Sequence, residues 1–200
     1  MAEPARKRLS YTEYLDLETR TDLRHEFLDG EAWAMAGGTP RHSRVKVNLI
    51  TRLNLGLGAG PCRLFDSDLK IRVLESGLAT YPDAAVICGP VSRDPQDRNA
   101  LTNPVLLVEV LSESTEAWDR GAKFAHYRRI PELRHYLLVD AGQARVEHFA
   151  RQPDGRWLLS EYGAGQTVGL PELGLLLEVD ALYQGMPEED EEDVEGPEAG

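Results

Sequence analysis

The chain has little of what disulfide scaffolds, zinc sites and membrane proteins need. Its 200 residues hold two cysteines, Cys62 and Cys88, with no Cys-x-x-Cys and no repeated spacing. That pattern encodes neither a disulfide framework nor a zinc site. Long apolar runs are missing too: no stretch approaches the ~18 residues of a membrane span. Met1-Ala2-Glu3-Pro4-Ala5-Arg6-Lys7-Arg8 has no apolar core of the kind a secretion signal carries. The expectation is a soluble, cytoplasmic protein that does not engage membranes. Aromatics are few and scattered, at 7%, which argues against a two-carboxylate glycosidase with a ring-lined sugar cleft.

Positive charge is scarce, with 22 Lys and Arg against 34 Asp and Glu and a formal charge of −12. The excess is concentrated at one end. Glu188 to Gly200 carries eight acids and no base; without them 26 acids face 22 bases, a balance of −4. A polyanionic partner is therefore not excluded for the body of the chain. Residues 187–200 read as a disordered acidic tail, since runs of like charge stay solvated, and residues 1–9 as a flexible N-terminus. Residues 10–186, in a chain with 42% hydrophobic content, suffice for a single α/β domain with a real core.

Ser10-Tyr11-Thr12-Glu13 is a capping box that predicts a short helix from Tyr11 to Leu17. His25-Glu26-Phe27-Leu28, Asp29-Gly30 and Glu31 to Met35 predict a hairpin, because Asp-Gly suits a turn with two positive φ angles. Glu26 then shares a strand face with apolar Leu28. After Gly37-Gly38-Thr39-Pro40, a helix is expected over Arg41–Leu57, with Val45, Leu49 and Leu53 repeating at four and Val47 and Ile50 widening the stripe. His42 stands at its start, where backbone amides favour phosphate. Arg41, Arg44, Lys46 and Arg52 make this helix the most basic part of the body; a solvated face explains them as well as a nucleic-acid contact does. Arg63 to Val73 reads as one long strand, and another begins at Asp83.

Between Cys88 and Val105, Gly89 to Arg98 is a polar, breaker-rich loop with the character of a substrate-facing flap. A strand over Val105–Leu111, a helix from Ser112-Glu113-Ser114-Thr115 to about Arg129, and a strand over Tyr136–Asp140 form a crossover unit with parallel strands. Asp119, Lys123 and Tyr127 share one helix face. A hairpin over 145–149 and 157–162, a strand over 175–179 and a short helix at 180–183 close the chain.

Two acids lie where acids are costly. Asp83 enters the apolar run Ala84–Cys88, and Glu109 sits inside Val105–Leu111. An uncompensated buried polar group costs ~2–7 kcal/mol, and a charge more. A divalent cation shared by Asp83 and Glu109 compensates both, because magnesium takes one or two carboxylates plus water and phosphate.

The acid at the start of one strand, the acid within the next, and the element order resemble the PD-(D/E)xK nuclease superfamily. More narrowly, Ser10 to Tyr183 is similar to the Uma2 family of restriction-type endonucleases. The likeness rests on His25 to Gly30, His42, Tyr81-Pro82-Asp83, Val108-Glu109-Val110-Leu111-Ser112, Ser114-Thr115, Asp119, Lys123, Tyr127 and Tyr136 to Asp140. It implies a restriction-endonuclease-like αβββαβ core, an α/β fold with a mixed central sheet flanked by helices, an extra N-terminal hairpin and extra C-terminal strands. It further implies an endonuclease that hydrolyses phosphodiester bonds of nucleic acid, DNA foremost, with magnesium or manganese held by Asp83 and Glu109, and a homodimer as in many such enzymes. The superfamily's lysine two residues after the acid is here Leu111. Lys123 is the first candidate to replace it and Lys70 the second. By the same likeness Glu26 completes the metal shell and His42 orients water or phosphate. The competing reading is a catalytically silent binding or accessory module, favoured by Leu111 and opposed by Asp83 and Glu109.

Overall fold

The computed structural model describes residues 8–35, 37–112 and 114–186. The acidic run after Met186, the first seven residues and Glu113 lie outside the described residues. The first helix, α1 (Tyr11–Arg20), starts at Ser10, whose hydroxyl accepts the Glu13 amide while the Glu13 carboxylate accepts the Ser10 amide. It runs three residues past the expected end at Leu17. Strands β1 (His25–Leu28) and β2 (Glu31–Ala34) form the expected hairpin, with Asp29 at φ 50° and Gly30 at φ 85° in the turn. In α2 (Pro40–Leu57), Thr39 caps the His42 amide and Pro40 opens the first turn, where its missing N–H costs nothing. Val45, Leu49 and Leu53 are buried, but Val47 is exposed. Two residues are more than half a turn of helix, so Val47 cannot share their face.

The single strand expected over Arg63–Val73 is instead two strands, β3 (Cys62–Asp66) and β4 (Lys70–Val73). Asp66 makes the break: its carboxylate accepts the Asp68 amide and its carbonyl accepts the Leu69 amide. A carboxylate that bonds the backbone two residues on substitutes for glycine or proline as a turn former. Strands β5 (Leu78–Thr80) and β6 (Ala84–Cys88) follow, and β3 pairs with β6 while β4 pairs with β5. The two halves thus belong to different sheets. The loop read as a flap, Gly89 to Arg98, leads into a short strand, β7 (Ala100–Leu101), parallel to β4. Asp97 and Asp94 tie it down through Lys70 (2.9 Å) and Arg72 (3.2 Å). It does not border the main cleft, which corrects the flap reading.

Strand β8 (Leu106–Leu111) leads into a helical stretch made of α3 (Glu116–Trp118), a wide π turn over Asp119–Lys123, and α4 (Phe124–Tyr127). Then come β9 (His135–Asp140), β10 (Arg145–Arg151), β11 (Trp157–Gly163), β12 (Thr167–Leu170), β13 (Leu175–Glu178) and α5 (Val179–Leu182). A six-stranded sheet runs β11-β10-β9-β8-β6-β3, with β8 and β9 parallel as the crossover requires. A five-stranded sheet runs β2-β1-β5-β4-β7, and β12 pairs with β13. This is the expected α/β class, mixed sheets flanked by helices. Alternation divides β8 between two cores. Val108 and Val110 join Val45, Leu49 and Leu53 of α2, whereas Leu107 and Leu111 join Phe124, Tyr127 and Tyr136.

The cysteines overturn the reading made from their spacing. Cys62 and Cys88 are directly opposite in the β3–β6 pair and are joined in a disulfide, with Cα atoms 3.9 Å apart. Strand register places the partners together, and their separation of 26 positions in the sequence gives no hint of that.

Candidate active site

Asp83 lies at the residue before β6, beside Ala84, which is opposite Val108 in the sheet. Its Oδ2 accepts the Val110 amide at 2.8 Å. Two side chains of α2 reach it from the same helix face: His42 Nε2 is 3.4 Å from Oδ2 and Lys46 Nζ is 3.3 Å from Oδ1. The spacing of four stacks them one turn apart, and the Thr39 cap fixes the turn from which they project. Lys46 also donates to Ser67 Oγ at 3.3 Å, just beyond β3.

Glu109 takes the same face of β8 as Leu107 and Leu111, so it looks toward the helix rather than toward α2. There Lys123 Nζ stands 2.9 Å from its Oε1, and the Tyr127 hydroxyl donates to that oxygen at 2.7 Å. Lys123 is held equally by Glu26 Oε1 at 2.8 Å and Asp119 Oδ1 at 3.1 Å. Glu26 comes from β1, where its neighbour Phe27 turns the other way into a stack with Tyr14. Trp118 Nε1 donates to Glu26 Oε2 at 3.1 Å, and the Thr80 hydroxyl donates to Oε1. One ammonium thus binds three carboxylates from a hairpin, a central strand and a helix.

Burial and charge set the protonation of the group. Burial pushes the Glu109 carboxyl up to about 8; Lys123 opposes the rise, and Asp119, Asp83 and Glu26 add to it. Burial acts against the Lys123 ammonium, yet Glu109, Glu26 and Asp119 outweigh it and hold the pKa well above the ordinary lysine value. Asp83 behaves oppositely to Glu109. Burial would raise its pKa, but His42, the Val110 amide and Lys46 together bring it below the ordinary value.

Asp83, Glu109, Glu26, Asp119, Lys123, His42 and Lys46 all border one cleft of about 700 Å³. Lys70 does not. It is buried behind the wall, 2.9 Å from Asp97 and 3.8 Å from Glu18, with its ammonium over the Tyr14 ring. The second lysine candidate is therefore excluded from the cleft by its place on β4. The sequence reading put Glu26 in the site for its likeness alone and His42 for its likeness and its place at a helix start, and it gave Lys46 only a share in a basic helix face. A lysine four residues after His42 on a helix is a signal that could have been used. The contacts of Trp118 and Thr80 with Glu26 had no signal, because they depend on sheet pairing and on the π turn.

The donor set suits a hard divalent cation. Among the described residues no three His, Cys, Asp or Glu side chains converge to close on an ion by themselves. Magnesium does not require it, since one or two carboxylates suffice when water and phosphate complete the shell. Glu109 offers Oε2, which receives no hydrogen bond among the described residues, and Asp83 is ionised beside it.

The chain as a whole is similar to known proteins in sequence and in fold. Residues 11–181 match a family model described as "Uma2: Putative restriction endonuclease". Two proteins of Synechocystis sp. (strain ATCC 27184 / PCC 6803 / Kazusa) are similar along most of their length. Uncharacterized protein slr1290 is 41% identical over 90% of this chain and 93% of its own, and uncharacterized protein sll1609 is 39% identical over 78% and 88%. A crystal structure of "a putative nuclease belonging to DUF820" from Anabaena variabilis ATCC 29413 shares the fold, with a TM-score of 0.68 at 17% identity, covering 84% of this chain and 96% of that one.

Proposed function

This chain belongs to the Uma2 family, and from that premise we propose that it is a metal-dependent nuclease that hydrolyses phosphodiester bonds in the cleft between Asp83 and Glu109. The observation that carries the reading is the Lys123 ammonium, buried against Glu109, Glu26 and Asp119 with Asp83 alongside. Among the described residues five acids, Asp22, Glu26, Asp83, Glu109 and Asp119, border this cleft, and Arg24, Lys46 and Lys123 do not match them all. A divalent cation offsets the remainder, and a phosphate then becomes a welcome ligand.

Asp83 and Glu109 are the residues that hold the ion, magnesium or manganese. When bound, such an ion lowers the pKa of water and neutralises charge gathering on the phosphate. The chain's own groups do the rest. Lys123 opposes the burial that pushes the Glu109 pKa up and fixes the carboxyl's orientation while also holding Glu26 and Asp119, replacing from the helix the lysine that Leu111 cannot supply from the strand. Leu111 is buried among Phe124 and Tyr136, where a lysine would have no exit. His42 braces the Asp83 carboxylate. Lys46, partly exposed at the Asp83 edge, offers a cation to a phosphate oxygen.

The test is cleavage of supercoiled plasmid and of oligonucleotides with magnesium or manganese, comparing wild type with Glu109→Ala and Lys123→Ala. Both variants should lose at least about 10²-fold in rate, the usual scale for one electrostatic or proton-transfer group. Full metal-dependent cutting by Glu109→Ala would sink the proposal. Absence of cutting by the wild type with either metal would favour a silent binding module.

A further inference from the structure

The lining of the cleft is chemically mixed. Besides the carboxylates, His42 and Lys46, it includes Trp33 and Met35 from the β2 arm, Leu23 from the turn before β1, and Trp118. The two indoles meet edge to face, with ring centroids 5.7 Å apart and planes at 85°. Trp118 is anchored, since its N–H donates to Glu26 Oε2. The Trp33 N–H has no acceptor among the described residues, and the ring is only half-buried. Leu23, at the mouth, is 60% exposed. Two indoles and two aliphatic side chains bordering one wet cleft are an unusual allocation in a chain with three tryptophans.

The cations of the cleft limit what can lie against these apolar side chains. Lys123 is occupied by three carboxylates, and Arg24 pairs with Asp68 at 2.8 Å. Lys46 and His42 both lean on Asp83, at 3.3 Å and 3.4 Å, and Lys46 keeps its side chain 27% exposed at the metal edge. Such a set serves about one phosphate. A duplex presents a charge every ~1.7 Å along its axis and calls for a track of lysines and arginines. A single strand asks for less: one phosphate at the metal edge and an unpaired base against an aromatic face, which accepts any base because all have a π surface.

We propose that the cleft takes a single-stranded or unpaired segment of nucleic acid, with the scissile phosphate at Asp83, Glu109 and Lys46 and an adjacent base stacked on Trp33, which Trp118 supports. Trp33 is then a specificity-determining residue rather than a catalytic one. This inference rests on the phosphodiesterase reading above and extends it to the substrate class.

The experiment separates binding from cutting. A fluorescein-labelled thymidine 15-mer and the same strand annealed to its complement are titrated with the full chain in magnesium, with anisotropy as the readout, for wild type, Trp33→Ala and Trp33→Phe. Cleavage of both substrates is followed in parallel with wild type and Asp83→Ala. Expected are at least 10-fold tighter binding of the single strand, a loss on the order of 10-fold in Trp33→Ala, the cost of one base stack, and substantial rescue by Trp33→Phe at an unchanged melting temperature. Equal or tighter binding of the duplex, or full single-strand affinity in Trp33→Ala, overturns the inference. If Asp83→Ala still abolishes cutting in that case, the nuclease reading stands and only the substrate class is wrong. Single-strand binding without metal-dependent cutting would instead remove the phosphodiesterase reading on which the inference depends.

Discussion

Removing the Lys123 ammonium would leave Glu26, Glu109 and Asp119 facing one another with no counter-charge inside the fold. Breaking a buried ion pair in this way costs about 3–5 kcal/mol, so Lys123→Met should lower stability by that order in a urea melt. The loss should be larger at pH 8 than at pH 6, because at the lower pH protonation relieves part of the repulsion. Glu109 supplies a pH dependence of its own. Its folded-state pKa is raised from the ordinary 4.5 to about 8, so across that interval the folded chain binds more protons than the unfolded one. Stability then falls as pH rises between those values. The metal-free protein should therefore show a declining melting temperature from pH 5 to pH 8, and Glu109→Gln should flatten the decline. Asp83 works in the other direction: its pKa is depressed below 3.8, so its contribution is complete above that value and is lost in stronger acid. At this scale the sequence was readable. Two acids at apolar runs announce themselves by their cost, whereas Lys123 was reached through its spacing from Asp119 and Tyr127 together with the likeness to the nuclease family. Lys46 was not reached, because a lysine on a basic helix carries no cost that flags it.

Among the elements, the β1–β2 hairpin has two tasks beyond packing: β1 carries Glu26 to Lys123, and β2 carries Trp33 to the cleft. Its turn depends on Gly30 at φ 85°, where an added Cβ would lie 2.7 Å from the Arg8 Cβ and 3.2 Å from the Leu9 carbonyl oxygen. Gly30→Ala should cost about 1–3 kcal/mol, the scale of a backbone held in an unfavourable region, and should show it as a lower melting temperature with weakened single-strand cutting. Asp-Gly made that hairpin legible, as the capping box made α1 legible. The break between β3 and β4 was hidden because Asp66-Ser67-Asp68 contains neither proline nor glycine, and the carboxylate that forms the turn is ordinary in sequence. The π turn was hidden as well. A stride of four places Asp119 and Lys123 on one face in either kind of helix, so the pattern gave the correct face while leaving the wider winding unseen.

Across the whole molecule, metal and disulfide act on folding by separate routes. An ion that binds only the folded chain adds RT ln(1 + [L]/Kd), about 2.7 kcal/mol at a hundredfold excess over Kd. Magnesium should raise the melting temperature of wild type but not of Asp83→Ala, a readout that needs no substrate. The Cys62–Cys88 bond instead closes a loop of 26 residues in the unfolded chain, worth about 3–4 kcal/mol on the loop-entropy scale. Reduction, or the Cys62→Ala and Cys88→Ala double variant, should lower stability by that amount at any metal concentration. The bond has a further geometric consequence. It joins opposite residues at one end of the β3–β6 pair, while the other end, Asp66 opposite Ala84, borders Asp83. A slip of one residue in an antiparallel pair turns every side chain to the wrong face, and a covalent pin between partners forbids that slip. The disulfide thus acts as an index mark for the strand, keeping Asp83 at the depth where the Val110 amide, His42 and Lys46 meet it.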